Sequence, residues 1–541
     1  MLFQWGMGRQ KKQINDRVKQ EGPDHSGEAA DIPQEPMSAE LAVNLDIIRQ
    51  TTGQSSDVVI RRFSLGQERQ IKAAIVFVDG LVDEKHVYEF LLTPLLEASF
   101  PLSLTEKEWF PWIEQKLAAV GGVKHVVDWE HLFLELFSGE TIILLDGVPS
   151  AVSASTKGGQ YRAIEEPQTQ LAVRGPREGF TESLRANTAM IRRRIKNPNL
   201  WMETMQIGTV TQTDVAIMYI KGIANDEVIE EVRARLRRID TDSVLESGYI
   251  EQLIEDQTFT TFPTIYHTER PDVVAANLLE GRIAIFIDGT PFILIVPALF
   301  IQFFQAVEDY YARFDIATAL RFLRVLIFFL SLVAPSIYIA AVTFHQEMIP
   351  TQLVIAIAAQ REAVPFPAFV EALIMEVTFE ILREAGIRLP RAVGQAVSIV
   401  GALVIGQAAV EAGFVSSAMV IVVSITAIAS FATPSFAIAI PARLIRFGLM
   451  FLAAMFGFYG IMMGLLVMIL HLCSLRSFGV PYMSPLAPFT PSNMGDTLFR
   501  IPTWMYRERP RLINQKNIIR QSGDQKPQPP APTRREKEDG S

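Results

Sequence analysis

Three glutamates, Glu376, Glu380 and Glu384, recur every fourth residue in an otherwise apolar stretch, a spacing that stacks them on one helical face. Inside a bilayer, carboxylates on such a face must meet water, an arginine or another subunit. At the membrane surface the same face would lie in water or pair with Arg383 and Arg388. Both readings remain open from the residues alone. A second pattern follows: Gln395, Ser398, Ala402, Gly406 and Ala409 fall within about 80 degrees on a helical wheel, a small and polar stripe. Such a stripe either lets helix backbones approach closely or lines a narrow pore.

Other chemistries find little support. The seven histidines are scattered, and His345-Gln346-Glu347 lacks the second histidine of a zinc-binding helix. One cysteine, Cys473, excludes an intramolecular disulfide framework. Ser153 to Gly159 resembles a phosphate loop but lacks the glycine spacing before Lys157. No nucleophile elbow or metal cluster is evident, so neither an enzyme nor a resident cofactor is expected. A net charge of −9 over 541 residues is too mild for a nucleic-acid binder.

The elements that would position the glutamates and the stripe are membrane helices. Only 20 of the charged residues lie between Gly289 and Arg476. Val325 to Phe344 is uncharged for 20 residues, Ala392 to Val410 for 19, Ala412 to Ala442 for 31 and Phe447 to Leu475 for 29, lengths that cross a hydrocarbon core. Pro434 and Pro441 break the third run. Thr290 to Val307 reads as a strand end and an interfacial helix. No lysine occurs between Lys221 and Lys516; the arginines cluster at 313, 321 and 324, at 383, 388 and 391, and at 443 and 446, as cytoplasmic faces do. Five crossings would put the basic tail opposite the amino-terminal part, against the charge rule, so a sixth crossing is hidden or the tail is an exception.

Ahead of the membrane half the sequence repeats itself. Apolar runs end at Asp79-Gly80, Asp146-Gly147, Lys221-Gly222 and Asp288-Gly289, 67 residues apart within each pair and 142 between pairs. Gly139 and Gly281 obey the same offset, so a duplicated α/β unit is expected. The Asp-Gly pairs read as turns rather than catalytic carboxylates. Arg174 to Arg194 reads as a hinge continuing into an Arg-rich helix, with a solvated or interdomain face preferred to an anion site.

The expected organisation is a disordered tail over 1–40, a first cytoplasmic α/β subdomain over 41–170, and a hinge with a second α/β subdomain over 171–300. A polytopic helical domain of about 5–6 spans over 301–490 and a basic, largely disordered tail over 491–541 follow. Met1 to Gln10 has no signal-peptide core, so the first soluble part is expected to stay in the cytoplasm.

Three blocks carry a resemblance to a known family. They are Phe344 to Thr351 (FHQEMIPT), Arg361 to Pro367 (REAVPFP) and Leu389 to Gly413 (LPRAVGQAVSIVGALVIGQAAVEAG), supported by Arg174-Gly175-Pro176 to Pro198, Glu308 to Tyr311, and Ser477 to Tyr482. From about residue 45 to 510 the chain resembles the A subunits of GerA-type nutrient germination receptors of spore-forming bacteria. A related sporulation protein encoded with the dipicolinate-release machinery shares the same blocks. The resemblance implies a spore inner-membrane protein working with an integral-membrane, nutrient-binding B subunit and a lipoprotein C subunit. It further implies a homo-oligomer of A subunits forming a ligand-gated ion channel, with Gln395, Ser398, Ala402 and Gly406 as candidates to surround the pore. A transporter or a scaffold subunit of the germination machinery is the alternative.

Overall fold

The computed structural model describes residues 32–527 apart from short stretches, the longest being 390–405. Gln395, Ser398 and Ala402 therefore lie outside the described residues, and Gly406 just inside them.

The duplication seen in the sequence is a duplication of sheets. Strands β1 (Val58–Leu65), β2 (Ile71–Val78), β3 (Val123–Val126), β4 (Thr141–Leu145) and β5 (Ala151–Ala154) form one sheet in the order β1-β2-β4-β5-β3. A second sheet repeats it as β6-β7-β9-β10-β8, from β6 (Leu200–Ile207), β7 (Thr213–Ile220), β8 (Tyr266–Thr268), β9 (Ile283–Ile287) and β10 (Ile293–Val296). Every ladder in both is antiparallel. Four of the five strands begin 142 residues before their counterparts. Helices α1 (Leu41–Thr51) and α2 (Trp129–Leu136) in the first copy correspond to α3 (Leu184–Arg194) and α5 (Pro271–Leu279) in the second, where α4 (Asp226–Arg237) follows β7.

The turns have a structural job. Asp146 Oδ1 accepts a hydrogen bond from the Leu41 amide at 3.0 Å, and Asp288 Oδ1 one from the Leu184 amide at 2.9 Å. Each carboxylate thus satisfies an orphan donor at the start of its own unit's first helix, where negative charge is favoured. The Arg-rich helix joins the copies: Arg192 donates through Nε and Nη2 to Asp57 at 2.7 and 2.9 Å, both buried, and lies 5.0 Å from the Phe137 ring centroid. Trp201 covers Gly53, where a Cβ would come within 2.0 Å of the indole.

Both sheets are buried on both faces. In the first, Ala74, Val76 and Val78 face one apolar cluster while Ala73, Ile75 and Phe77 face another, the alternation a strand imposes. In the second, Val215, Ile217 and Tyr219 face a cluster closed by Val228, Val232 and Leu236 of α4. Ala216, Met218 and Ile220 face a cluster that runs on without interruption into the helical part, through Phe328, Leu332, Ile438, Leu449 and Leu472.

The helical part comprises α6 (Phe314–Thr343), α7 (Thr351–Arg361), α8 (Ala368–Arg388), the helical residues 406–411, α9 (Ser417–Phe431) and α10 (Phe436–Ser474). Two of these helices, α6 and α10, are long and apolar enough to cross a membrane. The 5–6 spans expected from the apolar runs are thus represented by two helices of spanning length among the described residues. Most of the Ala392–Val410 run lies outside the described residues, and α9, at 15 residues, is shorter than a usual span.

Helix α10 is two helices folded against each other. Gly457 has φ 60° and ψ −141° inside it. A Cβ on Gly460 would meet the Leu452 carbonyl oxygen at 2.2 Å, and one on Gly464 would meet Leu449 Cδ2 at 2.5 Å, approaches a straight rod rising about 1.5 Å per residue excludes. The single run expected from Phe447 to Leu475 is therefore interrupted: glycine alone tolerates that dihedral cheaply, and its lack of a side chain lets the returning leg pack closely. The turn sits against His345, whose Cε1 would lie 2.7 Å from a Gly457 Cβ. The expected break at Pro434 is present, since α9 ends before it and α10 starts after it, whereas Pro441 lies within α10.

Contacts fix the direction of each helix. At the start of α6, Arg321 and Arg324 pair with Asp309, and Arg321 also with Asp496, beside the second sheet's unit. At its far end, Tyr338 OH lies 3.5 Å from Ser416 Oγ, the cap of α9. Helix α9 then returns, and α10 starts, near Arg324. The second leg of α10 ends with His471 Nε2 2.9 Å from Thr260 Oγ1. Ser477 Oγ then donates to the Thr264 carbonyl at 2.7 Å, and Arg509 Nε to the Leu279 carbonyl at 3.0 Å. The carboxy-terminal segment is thereby packed on the second α/β unit.

Candidate functional site

The glutamate row of α8 grades from buried to exposed along the helix. Glu376 is 1% exposed and pairs with Arg446 of α10, itself 2% exposed, through Oε2 and Nη1 at 2.5 Å. Glu380 pairs with Arg383 and lies 3.4 Å from Arg443. Glu384 is largely exposed and pairs along its own helix, with Arg388 at 2.6 Å. Glu376 thus has an arginine partner in the interior of the structure, and Glu384 lies at its surface.

Glu376 and Arg446 are not fully satisfied. Among the described residues, Glu376 Oε1 and Arg446 Nε and Nη2 are buried without a hydrogen-bond partner. Taking a carboxylate and a guanidinium out of water costs several kcal/mol each, on the order of what their attraction returns, and only complete hydrogen bonding tips that balance favourably. An arrangement with unmet donors and an unmet acceptor is one that admits water, an ion or a further polar group.

Sequence reasoning passed over a buried acid of α8 whose two oxygens are both satisfied. Glu371 is fully buried; its Oε2 accepts from the Ser416 amide at 3.0 Å and Ser416 Oγ at 2.9 Å, and its Oε1 accepts from Arg361 Nε at 3.2 Å. One carboxylate thus ties α7, α8 and the start of α9. It lies five residues before Glu376, off the four-residue register, and its partners are 10 and 45 residues away, which no local pattern reveals. Of the small and polar stripe, Gly406 and Ala409 fall within the described residues: Gly406 is buried, and a Cβ there would touch Val420 Cγ1 of α9 at 3.7 Å, ordinary contact distance, while Ala409 is half-buried. The structure brings Glu376 and Glu380 together with α10, and Gly406 with α9.

A cavity of about 460 Å³ lies where the second α/β unit, the start of α6 and the α9–α10 turn meet. Arg282, Glu280, Gln302, Tyr310, Arg324 and Ser435 are among its lining residues. Arg282 Nη1 donates to the Pro297 carbonyl at 3.0 Å and to Gln302 Oε1, while its Nε is buried without a partner. Burial pushes the Glu280 carboxyl up and the Arg282 guanidinium down from their ordinary values, and each partly offsets the other. Among the described residues no group of three or more His, Cys, Asp or Glu could hold a metal ion.

With this geometry in place, comparison with known proteins decides the family. Residues 46–512 match the family described as Bacillus/Clostridium GerA spore germination protein. The chain belongs to this family. It is 60% identical to spore germination protein KA of Bacillus subtilis (strain 168), over 92% of this chain and 90% of that protein. It is 42% identical to spore germination protein B1 of the same organism, over 90% of this chain and 99% of the relative. Among solved structures, the amino-terminal domain of the A subunit of the Bacillus megaterium spore germinant receptor GerK3 is 48% identical, covering 51% of this chain and 100% of that one, with a TM-score of 0.41.

Proposed function

We propose that this GerA family protein is the A subunit of a nutrient germination receptor in the spore inner membrane, and that its copies assemble into a ligand-gated ion channel. It works with a nutrient-binding integral-membrane B subunit and a lipoprotein C subunit, and acts by gating rather than turnover. The observation that carries the channel reading is the Glu376–Arg446 pair: a buried charge pair between apolar helices, with three polar atoms unmet among the described residues; the small and polar run of Gln395, Ser398, Ala402 and Gly406 in the sequence supports it. Intramembrane charges of this kind mark ion or substrate paths.

The helix directions support an even number of crossings, with α6 and the first leg of α10 running away from the α/β units and α8, α9 and the second leg of α10 running back; the sixth crossing is assigned to the uncharged run Ala392 to Val410 from its length in the sequence. Both the α/β units and the tail then lie on the cytoplasmic side, where the arginine clusters at 313–324 and 443–446 belong.

Flux recording from the full-length protein in liposomes, with and without the B and C subunits, tests the reading. Cation flux that Ser398→Phe reduces at least tenfold, with the protein still inserted, is expected. Silence in every combination refutes the channel, and unchanged flux in the variant refutes the assignment of Ser398 to its lining. Amino-acid uptake dependent on Glu376 would replace it with a transporter.

A further inference from the structure

Phe259 is 92% exposed, and the loop that carries it is held at the level where the long helices become apolar. Thr260 Oγ1 lies 2.9 Å from His471 Nε2, and His471 is the only basic side chain between Phe447 and Leu475. The Phe262 ring packs 6.2 Å from His471 and 6.3 Å from Phe300, and Phe300 packs 6.3 Å from Phe328. Phe328 stands four residues past Arg324, the last charge on α6 before its uncharged run. The neighbours of Phe259 in the chain are thus pinned to the first apolar turn of two separate helices, beyond the arginines that mark the polar end. An aromatic side chain fully exposed in water forfeits the free energy of burial, and aromatic rings are enriched at the boundary between headgroups and hydrocarbon.

We propose that the loop Asp256 to Pro263 is a membrane-interface anchor, with Phe259 inserted among lipid headgroups and upper acyl chains. The ring fixes the height of the second α/β unit over the bilayer, independently of the covalent link through α6. This rests on the reading of α6 and α10 as membrane helices, and the occupant is lipid rather than a second protein surface. Through Thr260, the anchor is tied directly to the last turn of α10.

The test uses the full chain with Cys473 replaced by Ser and single cysteines at three sites, each carrying an environment-sensitive fluorophore, in phosphatidylcholine–phosphatidylglycerol vesicles containing lipids with a quencher near the headgroup. Phe259→Cys should be quenched by half or more. Phe329→Cys, on the outward face of α6, reports on the membrane reading, and Val210→Cys, 78% exposed on the far hairpin, should stay unquenched. Quenching at 329 without quenching at 259 overturns the anchor and leaves the membrane reading intact. A label at 259 shielded from aqueous iodide yet untouched by lipid quencher replaces lipid by a protein partner. Equal quenching at 210 and 259 removes the specificity, and absence of quenching at 329 overturns both readings. All three positions are exposed, so substitution there leaves the fold in place.

Discussion

Individual ionisable residues in the α/β units carry consequences measurable without any partner. Burial, reinforced by the nearby Glu255 and Glu246 carboxylates, pushes the Glu251 carboxyl up to about 7. His267 Nδ1 lies 3.9 Å from Glu251 Oε2, and burial holds that imidazole below its ordinary value. Because the folded carboxyl titrates near 7 and the unfolded one near 4.5, the native state binds the extra proton between those values. The Glu251 contribution is therefore full below about pH 4.5, falls as pH rises to about 7, and is lost above it. Glu251→Gln should stabilise the detergent-solubilised chain at pH 8 by at most about 3 kcal/mol, read as a raised melting temperature, and leave it unchanged at pH 4. Equal shifts at both pH values would refute the assignment. The bidentate Arg192–Asp57 pair gives a second test. Asp57→Ala leaves a buried guanidinium without its carboxylate and should cost about 3–5 kcal/mol, whereas a loss under 1 kcal/mol by chemical denaturation would show that water replaces the partner.

Among the elements, what the sequence makes legible is what repeats at a fixed interval. The 142-residue offset survives in strand starts, in the paired carboxylate caps and in the order of strands, because each copy folds by the same local rules and the duplicated Asp-Gly turns need no distant partner to be recognised. The fold-back at Gly457 is not legible: the run from Phe447 to Leu475 contains neither proline nor formal charge, and glycine is common in membrane helices. What decides it is the close approach of Gly460 and Gly464 to Leu452 and Leu449, a long-range fact. Likewise Glu376 and Glu380 announce a polar face, but their partners Arg446 and Arg443 sit 70 and 63 residues on, and Glu371 is recognised only by its contacts. Gly457→Ala should break the turn, since a methyl group meets His345 at 2.7 Å and takes a positive φ. The expected result is at least a several-fold loss of correctly inserted protein, with no rescue by His345→Ala, because the dihedral strain persists. Full rescue would make the contact, not the dihedral, the constraint.

For the whole molecule, the tail is the element that decides sidedness. Asp496 accepts from Arg321 Nη1 at 2.8 Å and from Tyr310 OH at 2.7 Å, and Gln305 Nε2 donates to its carbonyl. A segment reached only after every apolar run is thus bonded to residues that precede the first one. A chain that leaves the α/β units along α6 and comes back to the same place at Asp496 crosses any intervening bilayer an even number of times. For the proposed topology, an odd count would conflict with these contacts as it does with the arginine clusters, and counting the second leg of α10 as a crossing of its own removes the conflict. Cysteines at Val210 and at Gln525, each in a Cys473→Ser background, should therefore react with a membrane-impermeant maleimide from the same face of sealed, oriented vesicles. Labelling from opposite faces would dissolve the Arg321–Asp496 contact and with it the six-crossing topology. Arg321→Ala then separates two roles for that contact. If it only holds the tail, both cysteines stay on the same side and the Gln525→Cys label becomes more mobile. If it sets the orientation of α6, the labelling pattern becomes mixed.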